Sequence, residues 1–343
     1  MKADWWMFLS ENFMIDLTKF KGGMLIMSKI TNSIKNTIRN ISPFNNRTEM
    51  PLILYIIKVI IIFEFVKFGA EVIGEGIVLG ALFACGKNPL KGEMFSPNVM
   101  TLIMYFGYGL LIGIAILYWR VFQKKSVSEL GFTKNVGSYF IGGIIGAVLV
   151  VISVLFILLT GTIKYKGVFA DINYLYIFLM LGGFIFQGAW EEVLCRGIVL
   201  QLLKEKVSIP VAVGVSTIFF IYPHISNMQN TDVSIKLFAI IGLILISLIF
   251  SYLTIYFKNI WVACGLHTIW NYILYNILGL NLSGNDEVTA AVFEMKSVGS
   301  NVINGGVYGI EASAVTAVVL AVALVGFYVI GSKTRKSKML EAA

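Results

Sequence analysis

Residues 174–203 read YLYIFLMLGGFIFQGAWEEVLCRGIVLQLL. A bilayer core of roughly 30 Å takes about 20 mostly apolar helical residues, so this stretch is read as a membrane span. Inside it stands Trp190-Glu191-Glu192-Val193-Leu194-Cys195-Arg196. Charges within a span cost at least about 2.5 kcal/mol each on insertion scales, so they face the interior of a bundle and mark function. On a helix Glu192 and Arg196 lie four apart on one face and can form an ion pair. Glu191 is turned about 100° from Glu192 and is left to point elsewhere. One anchored carboxylate beside one available carboxylate is the arrangement expected of a positioned general base.

The rest of the chain agrees with a membrane setting. Of 343 residues 57% are hydrophobic and 13% charged, with mean hydropathy +0.83. An ordinary soluble domain carries about 25% charged residues, which excludes a single water-soluble domain and a disordered chain. Eight spans are expected, near 51–84, 99–119, 138–160, 174–203, 209–227, 235–257, 260–280 and 311–331. With both termini inside, cytoplasmic segments hold eighteen Lys and Arg against six on the other side, the bias that sets orientation. The net charge of +8 therefore reports topology and calls for no nucleic-acid partner. The expectation is an all-α polytopic membrane protein with cytoplasmic termini: a cytoplasmic or membrane-surface segment over 1–50, a transmembrane domain over 51–331 and a basic cytoplasmic tail over 332–343. The N-terminal segment lacks the compact layout of a cleavable signal. The Gly- and Asn-rich stretch from about Asn281 to Tyr308 reads as a loop. No internal repeat is visible, which disfavours a transporter built from two related halves.

Other intramembrane polar groups sort into two sets. Glu64, Lys67, Glu71 and Glu75 fall on one face of the opening span, where Lys67 can pair with Glu64 and Glu71; the stripe reads first as a neutralised structural feature. The second set joins Glu191 from other helices. Span five ends Phe220-Ile221-Tyr222-Pro223-His224, and span seven contains His267-Thr268-Ile269-Trp270-Asn271 with both polar groups on one face. These are the only two histidines of the chain. At about 1.5 Å per residue, Glu191, His224, His267 and Asn271 lie roughly 10–23 Å from the cytoplasmic edge of their spans, so all four can share one cavity.

The pattern Glu191-Glu192-x-x-x-Arg196, Phe220-x-x-x-His224 and His267-x-x-x-Asn271 resembles the CPBP family, the CAAX-processing and bacteriocin-processing intramembrane proteases also called the Abi family. The similar region covers about 126–280 and opens with Val127-Ser128-Glu129-Leu130-Gly131-Phe132, which is similar to a short pre-helix motif of such proteins. Pro223 directly before His224 departs from the usual pattern. The resemblance implies peptide-bond cleavage near a membrane surface, with Glu191 as catalytic glutamate, His224 as its partner, His267 and Asn271 as a second polar pair, and Glu192, Arg196 and Phe220 in support. It implies a membrane-associated peptide or protein substrate in the lipid bilayer, and a membrane-protein partner is a candidate too. Prenylated C-a-a-X proteins are the eukaryotic use of the family. This Ile-, Lys- and Asn-rich chain looks more like a bacterial plasma-membrane member, for which peptide pheromones and bacteriocin precursors are candidates.

Two mechanisms stay open. In one, Glu191 and His224 activate water while His267 and Asn271 hold the oxyanion. In the other, His224, His267 and Glu191 bind zinc with an open position for water; the absence of an H-E-x-x-H helix favours the metal-independent version. Cys195 and Cys264 read as small apolar fillers, and no G-x-S-x-G elbow is present. The rival from another class is a non-catalytic membrane regulator or bacteriocin-immunity scaffold that binds partners through the same cavity.

Overall fold

A computed structural model describes residues 27–229, 231–284 and 290–341, with side chains given through residue 334. The first 26 residues, and with them much of the expected 1–50 segment, lie outside the described residues, as do 285–289 of the polar stretch and the end of the basic tail. The chain divides into two compact units, residues 1–62 and 63–343. In the first, residues 27–41 form α1, and the buried Lys58 donates to Asn45 Oδ1 and to the Arg47 carbonyl, both at 2.8 Å.

The helices follow the apolar runs: α2 (Leu52–Ala84), α3 (Pro97–Tyr118), α4 (Ser138–Leu159), α5 (Tyr174–Glu192), α6 (Ile209–Ile221), α7 (Val233–Phe257), α8 (Trp261–Tyr272) and α9 (Ala314–Glu341). Among the described residues six stretches are long and apolar enough to cross a membrane: Pro97–Gln123, Ser138–Leu159, Tyr174–Leu203, Ile209–Met228, Val233–Phe257 and Ala314–Thr334. The protein is all-α and polytopic. Apolar side chains such as Phe140, Leu159 and Phe178 point outward on these helices, as lipid-facing residues must.

Two of the eight expected spans differ. The helix over 52–84 forms, but Lys58, Glu64, Lys67, Glu71 and Glu75 leave it without a weakly charged window long enough to cross. The expected 260–280 span is a shorter helix, twelve residues followed by a π-type turn over Ile273–Ile277. Val262 through Thr268 are buried throughout, so this helix is surrounded by protein. The stretch expected as a loop over 281–310 is also corrected in part. Phe293–Ser297 (β2) pairs antiparallel with Ile163–Val168 (β1); both strands are too short and polar to stand out by pattern.

The second unit is built around the contact of α4 with α8. Gly142, Gly143 and Gly146 form a small-residue stripe, the feature that lets membrane helices approach closely. A Cβ added at Gly142 would fall 1.9 Å from the Val262 carbonyl oxygen. The Val127–Phe132 motif fixes the start of α8. Ser126 and Glu129 form a capping box; Leu130 is fully buried; Gly131 sits at φ +99° and accepts from Ile260 N–H at 3.1 Å. Trp261 Nε1 donates to the Thr133 carbonyl at 2.8 Å, and Phe132 packs on the Trp261 ring.

Candidate active site

Three helices deliver the site, and each changes pitch beside it. Past Glu192, α5 widens into a π-type segment over Val193–Val199 before closing as a helix at Leu200–Leu203. Just past Asn271, α8 widens over Ile273–Ile277. After Ile221, α6 tightens into a 3₁₀ segment, Tyr222–Met228, where Pro223 removes an N–H and cannot continue an α-helical ladder. This tightened segment carries His224. Such π turns occur mostly as single-turn bulges inside α-helices, frequently at functional sites.

Behind the cavity lies a fully buried ion pair. Arg196 Nη1 donates to Glu192 Oε1 at 3.2 Å, with both side chains fully shielded from solvent. Arg196 Nη2 donates to the Ser247 hydroxyl at 2.6 Å and carbonyl at 3.0 Å. The guanidinium lies 4.6 Å from the Phe220 ring and 5.1 Å from the Phe250 ring. Phe220 is thus a wall of the arginine pocket. The same Glu192 oxygen meets His267 Nδ1 at 3.1 Å, and Phe250 stacks on the His267 ring at 5.0 Å. Glu192 therefore fixes both Arg196 and His267.

In front of this pair the expected residues come together in a cavity of about 290 Å³ lined by Glu191, His224, His267 and Asn271. His224 Nδ1 is 2.8 Å from the Phe220 carbonyl. A carbonyl only accepts, so Nδ1 carries the proton, and in neutral His224 Nε2 presents its lone pair to the cavity. Glu191 Oε2 is 3.9 Å from His224 Nε2 and 3.9 Å from His267 Nε2. That oxygen is buried and makes no hydrogen bond among the described residues. Separations of this size suit a bridging water better than a direct bond.

Two lining residues escape sequence reasoning. Gln187, one turn before Glu191 on α5, donates through Nε2 to Glu191 Oε1 at 2.6 Å and accepts from Asn271 Nδ2 at 2.9 Å. Asn271 thus spends one of its two N–H donors on Gln187. Only its i, i+4 spacing to Glu191 could have pointed to Gln187. Glu311, in a short 3₁₀ turn (Ile310–Ala312) before α9, lines the same cavity. A second cavity of about 230 Å³ shares Glu191 and His224 and is bounded by Lys67 and Glu71 of α2. These two pair at 2.9 Å, whereas Glu64 and Glu75 are exposed; of the expected charged stripe, one pair reaches the site.

Among the described residues, no group of three His, Cys, Asp or Glu side chains is arranged to hold a metal ion. In the triplet zinc would use, Glu191 Oε2 stands 3.9 Å from Nε2 of each histidine, and the Glu192 carboxylate on His267 Nδ1 leaves that Nε2 facing the cavity. Cys195 and Cys264 are buried and free of disulfides; neither lines the main cavity, and Cys195 borders the second one.

This is a multi-pass membrane protein with an acid–histidine cavity inside its helix bundle. Residues 173–273 match the family model described as type II CAAX prenyl endopeptidase Rce1-like, the family of the CPBP resemblance. The matched segment includes Glu191, Glu192, Arg196, Phe220, His224, His267 and Asn271, and also Gln187; Lys67, Glu71 and Glu311 lie outside it. No curated protein matches the chain, and no solved structure does.

Proposed function

We propose that the chain is an intramembrane endopeptidase that hydrolyses a peptide bond of a membrane-associated or lipid-modified peptide or protein. The observation that carries this reading is the buried Glu191 Oε2, without a hydrogen-bond partner among the described residues and 3.9 Å from Nε2 of both histidines. A water held there donates one proton toward Glu191 and the other toward His224 Nε2. Glu191 takes a proton as the water oxygen bonds to the scissile carbonyl carbon. The C–N bond then breaks, and the proton passes to the departing amine, leaving a carboxyl and an amine product.

The negative charge on the carbonyl oxygen needs donors. The second N–H of Asn271 and, when protonated, His267 Nε2 supply them. Glu192 on Nδ1 steadies the imidazolium, as a buried carboxylate does for a catalytic histidine in other hydrolases. Gln187 holds Oε1 of Glu191, so that Oε2 alone turns to the water. The reaction as drawn uses no metal. The Ile-, Lys- and Asn-rich composition supports a bacterial plasma-membrane setting, and the Lys and Arg bias supports a cytoplasmic orientation of both termini.

The test compares membrane-proximal peptides from cells carrying Glu191→Ala with those from cells carrying the parent chain. The variant is expected to accumulate in membranes and to lose cleavage. Full retention of function in Glu191→Ala would sink the endopeptidase reading and favour a scaffold that binds partners through the cavity. On the purified chain, activity that survives chelation supports the metal-free route, and one tightly held zinc per active chain overturns it.

A further inference from the structure

Glu311 is a carboxylate the proposed reaction does not use. It reaches the reaction cavity from outside the family-matched segment. Its two oxygens are held by neutral donors: Oε2 accepts from Ser283 N–H at 2.7 Å and from the Ser283 hydroxyl at 2.8 Å, and Oε1 accepts from Trp270 Nε1 at 3.3 Å. Among the described residues no Lys, Arg or His lies within ion-pair distance of it. Other charges in the site are compensated locally: Arg196 by Glu192, Lys67 by Glu71.

The lining of the main cavity contains Glu191 and Glu311 and, among the described residues, no Lys or Arg. Glu311 is half-buried at the cavity wall, where a partly hydrated carboxylate gains from a cation, and a carboxylate offers about four acceptor directions, of which three are filled. From this geometry we infer that Glu311, with Ser283 and Trp270, forms a subsite for a cationic group of the substrate, a Lys or Arg side chain next to the bond presented to Glu191. This rests on reading the cavity as a peptide site. Glu311 is a specificity residue in this scheme: the cation pairs with Oε1 or Oε2 while the scissile carbonyl lies at Glu191 and His224.

The test is binding, so that it does not depend on turnover. Fluorescein-labelled ten-residue Ala-Leu peptides carry one Lys, or its near-isostere norleucine, stepped along the sequence. Their affinities are measured by anisotropy for the full-length chain in detergent, for Glu191→Gln and for Glu311→Gln, with cleavage followed in parallel. At one position the parent and Glu191→Gln should favour Lys by about tenfold or more, the scale of one desolvated charge pair. Glu311→Gln should bring that ratio close to one, and Glu311→Lys should shift preference to a Glu-bearing peptide. If Glu311→Gln weakens Lys and norleucine peptides equally, the residue merely holds Ser283 and Trp270, and the subsite is refuted. It is equally refuted if the parent shows no Lys preference at any position or binds none of the peptides. Lys preference without cleavage of any peptide would instead count against the endopeptidase reading and leave the subsite standing.

Discussion

Gln187 and Glu191 are bound side chain to side chain, Nε2 to Oε1 at 2.6 Å, one turn apart on α5. The same Gln187 accepts from Asn271 on α8, so a single neutral side chain sets the rotamer of the proposed base and ties it to the proposed oxyanion donor. Hydrogen-bonded support of this kind decides whether a catalytic group sits within the narrow tolerance its chemistry requires.

Gln187→Leu should therefore lower kcat by about 10–100-fold while KM moves little, because the substrate gains its contacts elsewhere. Gln187→Glu should be worse, since it sets a second carboxylate against Glu191. Steady-state kinetics on a cleavable membrane peptide would check both. A rise in KM at constant kcat would instead make Gln187 a binding residue.

Removing one partner of the buried pair should be more damaging than removing both. Arg196→Met leaves Glu192 uncompensated in the bundle core, at a cost of about 3–5 kcal/mol. The double change Glu192→Gln with Arg196→Met should recover much of the thermal stability in detergent. It should not recover cleavage, because His267 Nδ1 then loses its carboxylate. Recovery of both would show that Glu192 serves packing alone.

Gly142→Val tests the α4–α8 contact. A Cβ there falls 1.9 Å from the Val262 carbonyl, so the helices must separate, and overpacking of this kind costs about 1–3 kcal/mol or more. The expected outcome is a lower melting temperature and a loss of cleavage, because α8 carries His267 and Asn271. Gly137→Ala, with no close neighbour beyond Asn135 at 3.9 Å, should be mild by comparison.

The capping box before α4 should respond to acid. Hydrogen bonds from the Ser126 N–H and hydroxyl hold the exposed Glu129 carboxyl below its usual range. A depressed carboxyl stabilises the folded state above its unfolded pKa, and the benefit is lost as pH falls through its folded value. Amide exchange over 126–131 should therefore quicken only in acid, below the ordinary carboxylate range. In Glu129→Gln that acid step should be largely absent. Ser126→Ala should cost about 1 kcal/mol at neutral pH.

The features legible in the sequence share one cause. A charge in an apolar run stands out against its surroundings and has few physical solutions, so the Glu192–Arg196 pair follows from spacing, and counted depths leave Glu191 and both histidines able to meet. Other features had no such contrast. Gln187 is neutral and sits among apolar residues. Glu311 comes after a long polar stretch, where one more carboxylate carries no signal. The run over 260–280 is apolar because protein surrounds it, and hydropathy cannot separate that from lipid. Over 52–84 the charges that read as a neutralised structural stripe are the same ones that remove the helix from the apolar spans, and Lys67 and Glu71 border the second cavity. The β1–β2 ribbon is held by a pairing some 130 residues apart, which no local pattern encodes.

The wide turn at Val193–Val199 makes folding and chemistry separable within one helix. Deleting a single residue there would let α5 run on as an ordinary α-helix, still long and apolar enough to insert. Everything beyond the deletion would then be turned by about 100° relative to Glu191 and Glu192, although Arg196, three or four residues from Glu192, would keep a face in common with it. A chain shortened by that one residue would be a well-made membrane protein with its acid–histidine centre taken out of register.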